Sequence, residues 1–455
     1  PATDCEITVF LARRPLEAGN RIFDQNVNTW YVASGLEGQF AVSDRDWYWD
    51  ANVVFAENRG DQVKRGGFIV SRLVQALGPV DQCVGAANGC VPFNFFGGQG
   101  NGSGTITQDM LDFVGFNAKS LSGQDLNDVT LNLSGTLAEL PAGPLGVAVG
   151  YEYREQSGFF DPDPIVAAGD SNGVPAFASS GEYDVSEFYG EIRVPLLNEA
   201  PAADLLEVSA AVRSTDYSFA SAETTWRGTL LWRPTADLSL RGSVSTGLRA
   251  PSIGELFTSE EAIDEVFDDP CAADRLSTDP DVQAGCVQFG ALNTFQPNEQ
   301  LRIIALGNSN LRPEESDNVT LGLTWAPSWV DRADWVNGLV FELNWYRIEV
   351  SDAIRVRDAG TQLQLCLAAT GRVANGDPGS QPDADFLCNG IQRNALGALS
   401  RFESPLQNIS SLDTSGVDFS VDYRGPETRL GSFGVYLAAS VLTEFEETFP
   451  INAAG

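Results

Sequence analysis

The sequence predicts an all-β fold, an antiparallel transmembrane β-barrel. Three observations carry this. Long runs alternate apolar and polar residues with a period of two, the signature of strands whose successive side chains face opposite ways. The connections between those runs alternate between short and long. Aromatic residues gather near strand ends or on apolar faces, as at a membrane interface. The clearest unit is Thr224–Arg249. Thr224, Trp226, Gly228, Leu230 and Trp232 share one face, and after the turn Arg233-Pro-Thr-Ala-Asp237 so do Leu238, Leu240, Gly242, Val244, Thr246 and Leu248. Arg227, Thr229, Ser239, Arg241, Ser243 and Ser245 take the other face.

In chain order, strands are expected at about 6–13, 21–42, 47–57, 126–139, 145–157, 182–196, 205–218, 224–233, 238–249, 316–326, 339–350, 408–424 and 430–444. That is about 13 strands. Val129, Leu131, Leu133 and Leu137 face away from Asp128, Thr130, Asn132 and Ser134; Val319, Leu321, Leu323 and Trp325 form a similar apolar edge. Many runs have about 11–14 residues, somewhat more than the roughly 9–11 that cross a bilayer on a tilt. Trp226, Trp232, Trp325, Trp345, Tyr151 and Tyr153 are the expected interfacial aromatics. Short Pro/Gly/Asp turns fall near 44, 142, 200, 235, 330 and 427, and longer connections near 17, 90, 170, 220, 280 and 380. In an antiparallel meander alternate connections share an end. One rim is therefore trimmed and the other elaborated, the asymmetry of outer-membrane barrels. The elaborated rim comprises loops at about 59–125, 159–181, 250–315 and 351–407, with helices expected at 68–77, 107–114 and near 361–369.

The chain has 455 residues and a net charge of −34, which excludes a nucleic-acid partner, since phosphate binding needs clustered cations. Histidine is absent. That removes Ser-His-Asp and Cys-His triads and the usual zinc sites. No cofactor motif appears, and Gly97–Gly104 carries no lysine for a phosphate. The acidic loops raise one cofactor possibility, calcium at Asp161 and Asp163 or at Asp268 and Asp269, or divalent bridges to lipopolysaccharide. No EF-hand spacing is present.

Seven cysteines stand at 5, 83, 90, 271, 286, 366 and 388. Six cysteines allow 15 pairings, and local spacing favours Cys83–Cys90, Cys271–Cys286 and Cys366–Cys388. Disulfides imply an oxidising compartment. Cys5 is left over, and the expectation is of a chain cut from a longer one.

Two motifs then carry a family resemblance. Thr246-Gly-Leu-Arg-Ala-Pro-Ser-Ile-Gly-Glu-Leu-Phe257, with Arg249, Ala250, Pro251, Glu255, Leu256 and Phe257 at its centre, resembles the barrel signature of TonB-dependent outer-membrane receptors. Asn308–Ser316, with Asn310, Leu311, Pro313 and Glu314, resembles the run that precedes the family's next strand. The resemblance implies the middle and later part of a plugged barrel of about 22 strands. Plug, TonB box, early strands and closing strands are expected outside this stretch. It also implies the Gram-negative outer membrane, surrounding outer-membrane lipid, and import of a scarce or bulky nutrient ligand energised by the TonB–ExbB–ExbD complex. A passive porin-like or structural barrel is the alternative. An enzyme is not expected, since no convergent Asp pair is visible. Candidate ligand-binding loop residues are Phe93, Phe95, Phe96, Phe159, Phe160, Phe289 and Phe295, for stacking, and Arg275, Arg302 and Arg312, for an anion. Packing around the disulfides is the competing role for each. With no histidine and few bases, neutral cargo such as an oligosaccharide is favoured over a highly anionic ferric siderophore.

Overall fold

The computed structural model describes residues 13–96, 104–294, 296, 300–429 and 431–449. Cys5, the strand expected at 6–13 (Arg13 apart), Phe295 and most of Gly97–Gly104 lie outside the described residues.

Sixteen strands occur among these residues: β1 (Ile22–Val42), β2 (Arg45–Phe68), β3 (Gly115–Leu140), β4 (Gly143–Asp161), β5 (Ser179–Ala200), β6 (Ala203–Tyr217), β7 (Glu223–Thr235), β8 (Leu238–Arg249), β9 (Glu261–Val266), β10 (Gln300–Leu306), β11 (Glu314–Trp325), β12 (Gly338–Arg355), β13 (Ile391–Arg393), β14 (Leu399–Pro405), β15 (Gln407–Arg424) and β16 (Gly434–Thr448). Twelve form one sheet in the order β1-β2-β3-β4-β5-β6-β7-β8-β11-β12-β15-β16. The other four form a small sheet, β13-β14-β10-β9. The large sheet visits its strands in chain order, so it is a meander, and where β9, β10, β13 and β14 intervene they belong to loops. The strand order is open, and an edge in lipid needs a partner strand.

By packing, the chain divides into two units. Residues 58–123 and 159–179, with those up to 29, make one. Residues 30–57, 124–158 and those from 180 onward make the other.

The strands outrun their expected limits. β2 continues to Phe68, and β3 begins at Gly115 rather than near 126. Residues such as Gln62, Lys64, Asn117 and Lys119 break the apolar alternation there. Where both faces of a sheet meet water, the ladder of backbone hydrogen bonds persists without the hydrophobic contrast that reveals it.

Within the second unit the faces are partitioned as the alternation demands. Leu240 lies opposite Leu323, Val244 opposite Val319, and Leu343 opposite both Leu323 and Phe419. These side chains have no second layer over them. Trp226 is 49% exposed, Leu230 45% and Leu321 57%. An apolar surface this continuous across many strands has no place in water and matches the lipid-facing band of a barrel. Trp325 stacks on Phe341, 5.4 Å between ring centres, and the Trp232 indole donates to the Ala202 carbonyl at 3.0 Å near the short turns.

The opposite face is polar and linked from strand to strand. Asn52 and Asn132 both donate to Asp50 at 2.7 Å, and the Tyr189 hydroxyl donates to Asn132 at 2.6 Å. Arg213 pairs with Glu187 at 2.7 Å, and Thr215 donates to the same carboxylate at 2.9 Å. Further along, Ser243 meets Thr320 at 2.7 Å and Arg241 donates to Asn344 at 2.9 Å. Such a surface suits a wet interior.

This partition yields a direct comparison. Leu321→Arg places a charge on the lipid face near mid-strand and should cost about 2–4 kcal/mol of stability in a bilayer. Thr320→Arg, one residue away on the polar face, should cost much less. Denaturant unfolding in lipid vesicles measures both, and equal costs would contradict the assignment of faces.

Candidate functional site at the long-loop rim

Within the second unit the long connections β8–β11 and β12–β15 leave from the same ends of their antiparallel strands. At the root of the β8–β11 connection stands the Arg-Ala-Pro motif. Arg249 ends β8 opposite Glu314, the first residue of β11. Its guanidinium donates to Glu314 at 2.5 and 2.7 Å and to Glu255 at 3.0 and 3.1 Å. Glu314 also accepts from the Ile354 amide at 2.7 Å, which fastens β12 to the same point. Glu255 belongs to the short helix Ile253–Phe257, whose first turn is closed by a Ser252/Glu255 capping box. Burial works to raise the Glu255 carboxyl; hydrogen bonds from Arg249 and the Ser252 amide, with the Arg249 charge, outweigh it and hold it below its ordinary range. Pro251 is buried, and Leu256 and Leu311 enter a cluster with Tyr183, Val185, Tyr217 and Ile354, with Ala250 and Phe257 packed against it. Asn308 bonds to the Leu406 carbonyl at 3.0 Å, and its side chain accepts from the Asn310 amide at 2.9 Å. Pro313 separates Arg312 from Glu314 at the entry to β11. The motif residues are thus a staple joining three strand ends to two loop roots.

Above this staple, the connections 250–313 and 356–406 fold together. The strands β10 and β14 pair in parallel, Ile304 beside Glu403, although about a hundred residues apart. The helices Pro280–Gln288 and Ala359–Ala374 cross at glycines. A Cβ on Gly285 would stand 2.1 Å from the Leu367 carbonyl, and one on Gly371 1.7 Å from that of Asp281. Only glycine permits this approach. Phe267, Val282, Ile303, Leu363, Leu367, Leu387 and Phe402 make the core, together with Cys271, Cys286 and Cys366. Asp358 caps the Ala359–Ala374 helix, accepting from Thr361 at 2.7 Å. All three disulfides form as the spacing suggests: Cys83–Cys90, Cys271–Cys286 and Cys366–Cys388.

The predicted ligand residues are dispersed. Phe93 packs against the Cys83–Cys90 core and, with Phe95, lines a cavity of about 620 Å³ whose wall includes Arg13, Arg14, Arg21, Leu16, Phe68 and Leu73. Phe96 is exposed and meets Phe95 edge-on. Phe159 lies under the Arg59 guanidinium at 5.7 Å, and Phe160 lines a second cavity of about 210 Å³ with Phe23 and Phe116. Phe289 packs on the core of the two-loop fold. Each arginine is engaged by a carboxylate: Arg275 with Asp268 at 3.0 Å, Arg302 with Asp264 at 3.0 Å across the β9–β10 pair, and Arg312 with both oxygens of Asp352 at 3.2 Å.

Three of the four acidic candidates for calcium are also engaged, Asp268 by Arg275. Asp269 and Arg393 form a buried two-point pair at 2.5 and 2.9 Å. Asp163 accepts from the Ile165 and Lys119 amides at 2.9 and 3.0 Å, while Asp161 ends β4. Among the described residues no group of three or more Asp, Glu, His or Cys is placed to hold a metal.

Lipid-facing strands, a polar inner face and one elaborated rim define an outer-membrane β-barrel. The family model described as "TonB dependent receptor-like, beta-barrel" matches residues 9–453, and the chain belongs to that family. Its members reside in the outer membrane of Gram-negative bacteria, and as a class they are transporters rather than enzymes. Similar solved structures include the siderophore receptor PirA from Acinetobacter baumannii, 14% identical over 84% of this chain and 43% of that one, TM-score 0.40. A mutant of the ferric enterobactin receptor PfeA from Pseudomonas aeruginosa is 12% identical over 87% and 44%, TM-score 0.41. The RagAB peptide transporter is 11% identical over 95% and 38%, TM-score 0.43. The chain thus spans less than half the length of these three. No curated protein matches it.

Three outcomes follow from the rim. Arg249→Ala strips the mostly buried Glu314 carboxylate of its cation and should cost about 1–3 kcal/mol, read by thermal unfolding in detergent. Because Glu255 titrates low in the folded chain, its contribution is intact at neutral pH and is lost only as pH falls through that lowered value. Amide exchange over residues 250–258, corrected for intrinsic rate, should stay slow down to the ordinary carboxylate range and rise below it; Glu255→Gln should abolish that dependence. Separately, Cys366→Ser with Cys388→Ser should loosen the two-loop fold by about 2–4 kcal/mol. Exchange in β11 and β12 should be unchanged.

Proposed function

We propose that this protein is an active importer, carrying a scarce or bulky neutral nutrient, such as an oligosaccharide, across the outer membrane. The energy comes from the inner-membrane complex of TonB, ExbB and ExbD. Family membership supports the transport class. The observation that carries the neutral cargo is the state of the loop arginines: Arg275, Arg302 and Arg312 are each already paired with a carboxylate of the loops. An anionic ligand would have to displace those partners in a chain whose net charge is −34. A neutral polyhydroxylated ligand faces no such competition, and exposed rings such as Phe96 offer it a stacking surface.

The test is uptake by cells with and without the receptor, offered labelled oligosaccharides and, in parallel, a ferric siderophore. Loss of oligosaccharide uptake on deleting either the receptor or TonB supports the proposal. Uptake that survives removal of TonB assigns a passive barrel instead. Loss of siderophore uptake alone overturns the cargo.

A further inference from the structure

The connection 356–406 closes on its own roots and leaves a small notch of about 90 Å³. Its walls come from three places. Arg357 stands just past β12, and Ser404 and Gln407 lie at the β14–β15 junction. Asp385, Phe386 and Asn389 belong to the short helix Gln381–Leu387 or follow it. The Cys366–Cys388 disulfide ties the end of that helix to the longer helix Ala359–Ala374.

The floor of the notch is settled by the chain itself. Gln362 is buried; its amide donates to the Leu387 carbonyl at 3.1 Å and accepts from the Ser404 hydroxyl at 3.2 Å. The lip is different. Phe386 is 37% exposed, and the guanidinium of Arg357, itself 5% exposed, lies over its ring at 5.7 Å. The cation steadies the ring while part of the ring stays open to solvent. Asn389 and Gln407 present side-chain amides that bond to no described group. Asp385 accepts from Gln381 at 2.6 Å through Oδ1, and its Oδ2 bonds to no described group.

This set of groups selects a chemistry. Arg357 and Asp385 line one small space, so a ligand of either charge meets a like charge there. Each side-chain amide both donates and accepts. A matching ligand is neutral and does both within a short span. A hydroxylated sugar ring does so along its edge, and its C–H face suits an aromatic surface. Size decides how much enters. Sites that enclose a whole small molecule hold roughly 300–1,000 Å³. This notch admits the edge of one ring.

We propose that the notch binds the terminal residue of a neutral oligosaccharide. Phe386 is the stacking platform, and Asn389, Gln407, Asp385 and Arg357 are the hydroxyl partners. This site rests on the neutral-cargo reading above and gives that cargo a place. The rest of the oligomer stays in water, so the notch selects the end of a glycan rather than its length.

The experiment titrates full-length protein in detergent with maltotriose, cellotriose and xylotriose, and with trigalacturonate as the anionic comparison, by isothermal calorimetry. Phe386→Ala removes the platform, Asn389→Ala removes an exposed lip amide, and Phe386→Trp restores a ring. Amide exchange over residues 359–374 checks that each variant keeps the two-loop fold. At least one neutral trimer should bind, each alanine variant should weaken it about tenfold, and Phe386→Trp should retain it. No binding of any neutral trimer overturns the proposal. So does tighter binding of trigalacturonate than of all three, which makes the notch an anion site. Binding that both alanine variants leave unchanged overturns the notch, while uptake of the same trimers that needs receptor and TonB leaves the cargo reading standing. Binding weakened by the variants in a receptor whose cells import none of the trimers supports the notch and removes the cargo reading.

Discussion

In a bilayer no water is available to a backbone amide, so each N–H and C=O of a crossing segment must find its partner within the protein. The large sheet meets that demand by pairing neighbouring strands along their lengths. From β5 through β16 the registers are antiparallel, with a few local shifts. Once the ladder is fixed, the side chains have no freedom of side. A shift of one residue would exchange Leu321 for Thr320 against lipid and reverse the faces of the whole strand. The alternation in the sequence is therefore the consequence of a backbone requirement, and the aromatic stacks, polar cross-links and rim staple are built on it.

The long-loop rim obeys a different solvent. There the chain is free to bury apolar residues inward, and the connections between β8 and β11 and between β12 and β15 do so around two disulfides. Arg249, Glu255 and Glu314 stand at the junction. Their charges are shared among strand ends and loop roots. Several arginines of this acidic protein are paired within the chain: Arg393 with Asp269, Arg213 with Glu187, Arg312 with Asp352. Such pairing occupies the loop arginines Arg275, Arg302 and Arg312 with carboxylates of the chain itself.

Much of this was legible in the sequence where lipid imposes contrast. β7, β8, β11 and β12 are found within a few residues of their expected bounds, because Trp, Leu and Val alternate there with Ser, Thr and Arg. The disulfides were legible because each pair sits within one loop. Above the membrane the signal fades. The outer part of β2 and the start of β3 are strands with water on both sides, so Gln62 and Lys64 gave no period. The parallel pairing of β10 with β14 joins residues about a hundred apart, which no local pattern records. The Arg-Ala-Pro motif could be recognised, but its work as a staple depends on Ile354, a residue far along the chain. The aromatic loop candidates were the least legible. A phenylalanine in a loop looks the same whether it packs on a disulfide, as Phe93 and Phe289 do, or faces outward, as Phe96 does.

Site-directed spin labelling along β8 and β11 tests the central claim most directly. Labels placed one at a time from residue 238 to 249 and from 314 to 325 report access to oxygen, which concentrates in lipid, and to a water-soluble nickel chelate. The account predicts a two-residue period through the middle of each strand. Labels at 240, 242, 244, 321 and 323 should be open to oxygen, and labels at 241, 243, 320 and 322 to nickel. Uniform protection from both reagents at the first set, as in a sheet sandwiched between protein layers, would contradict it.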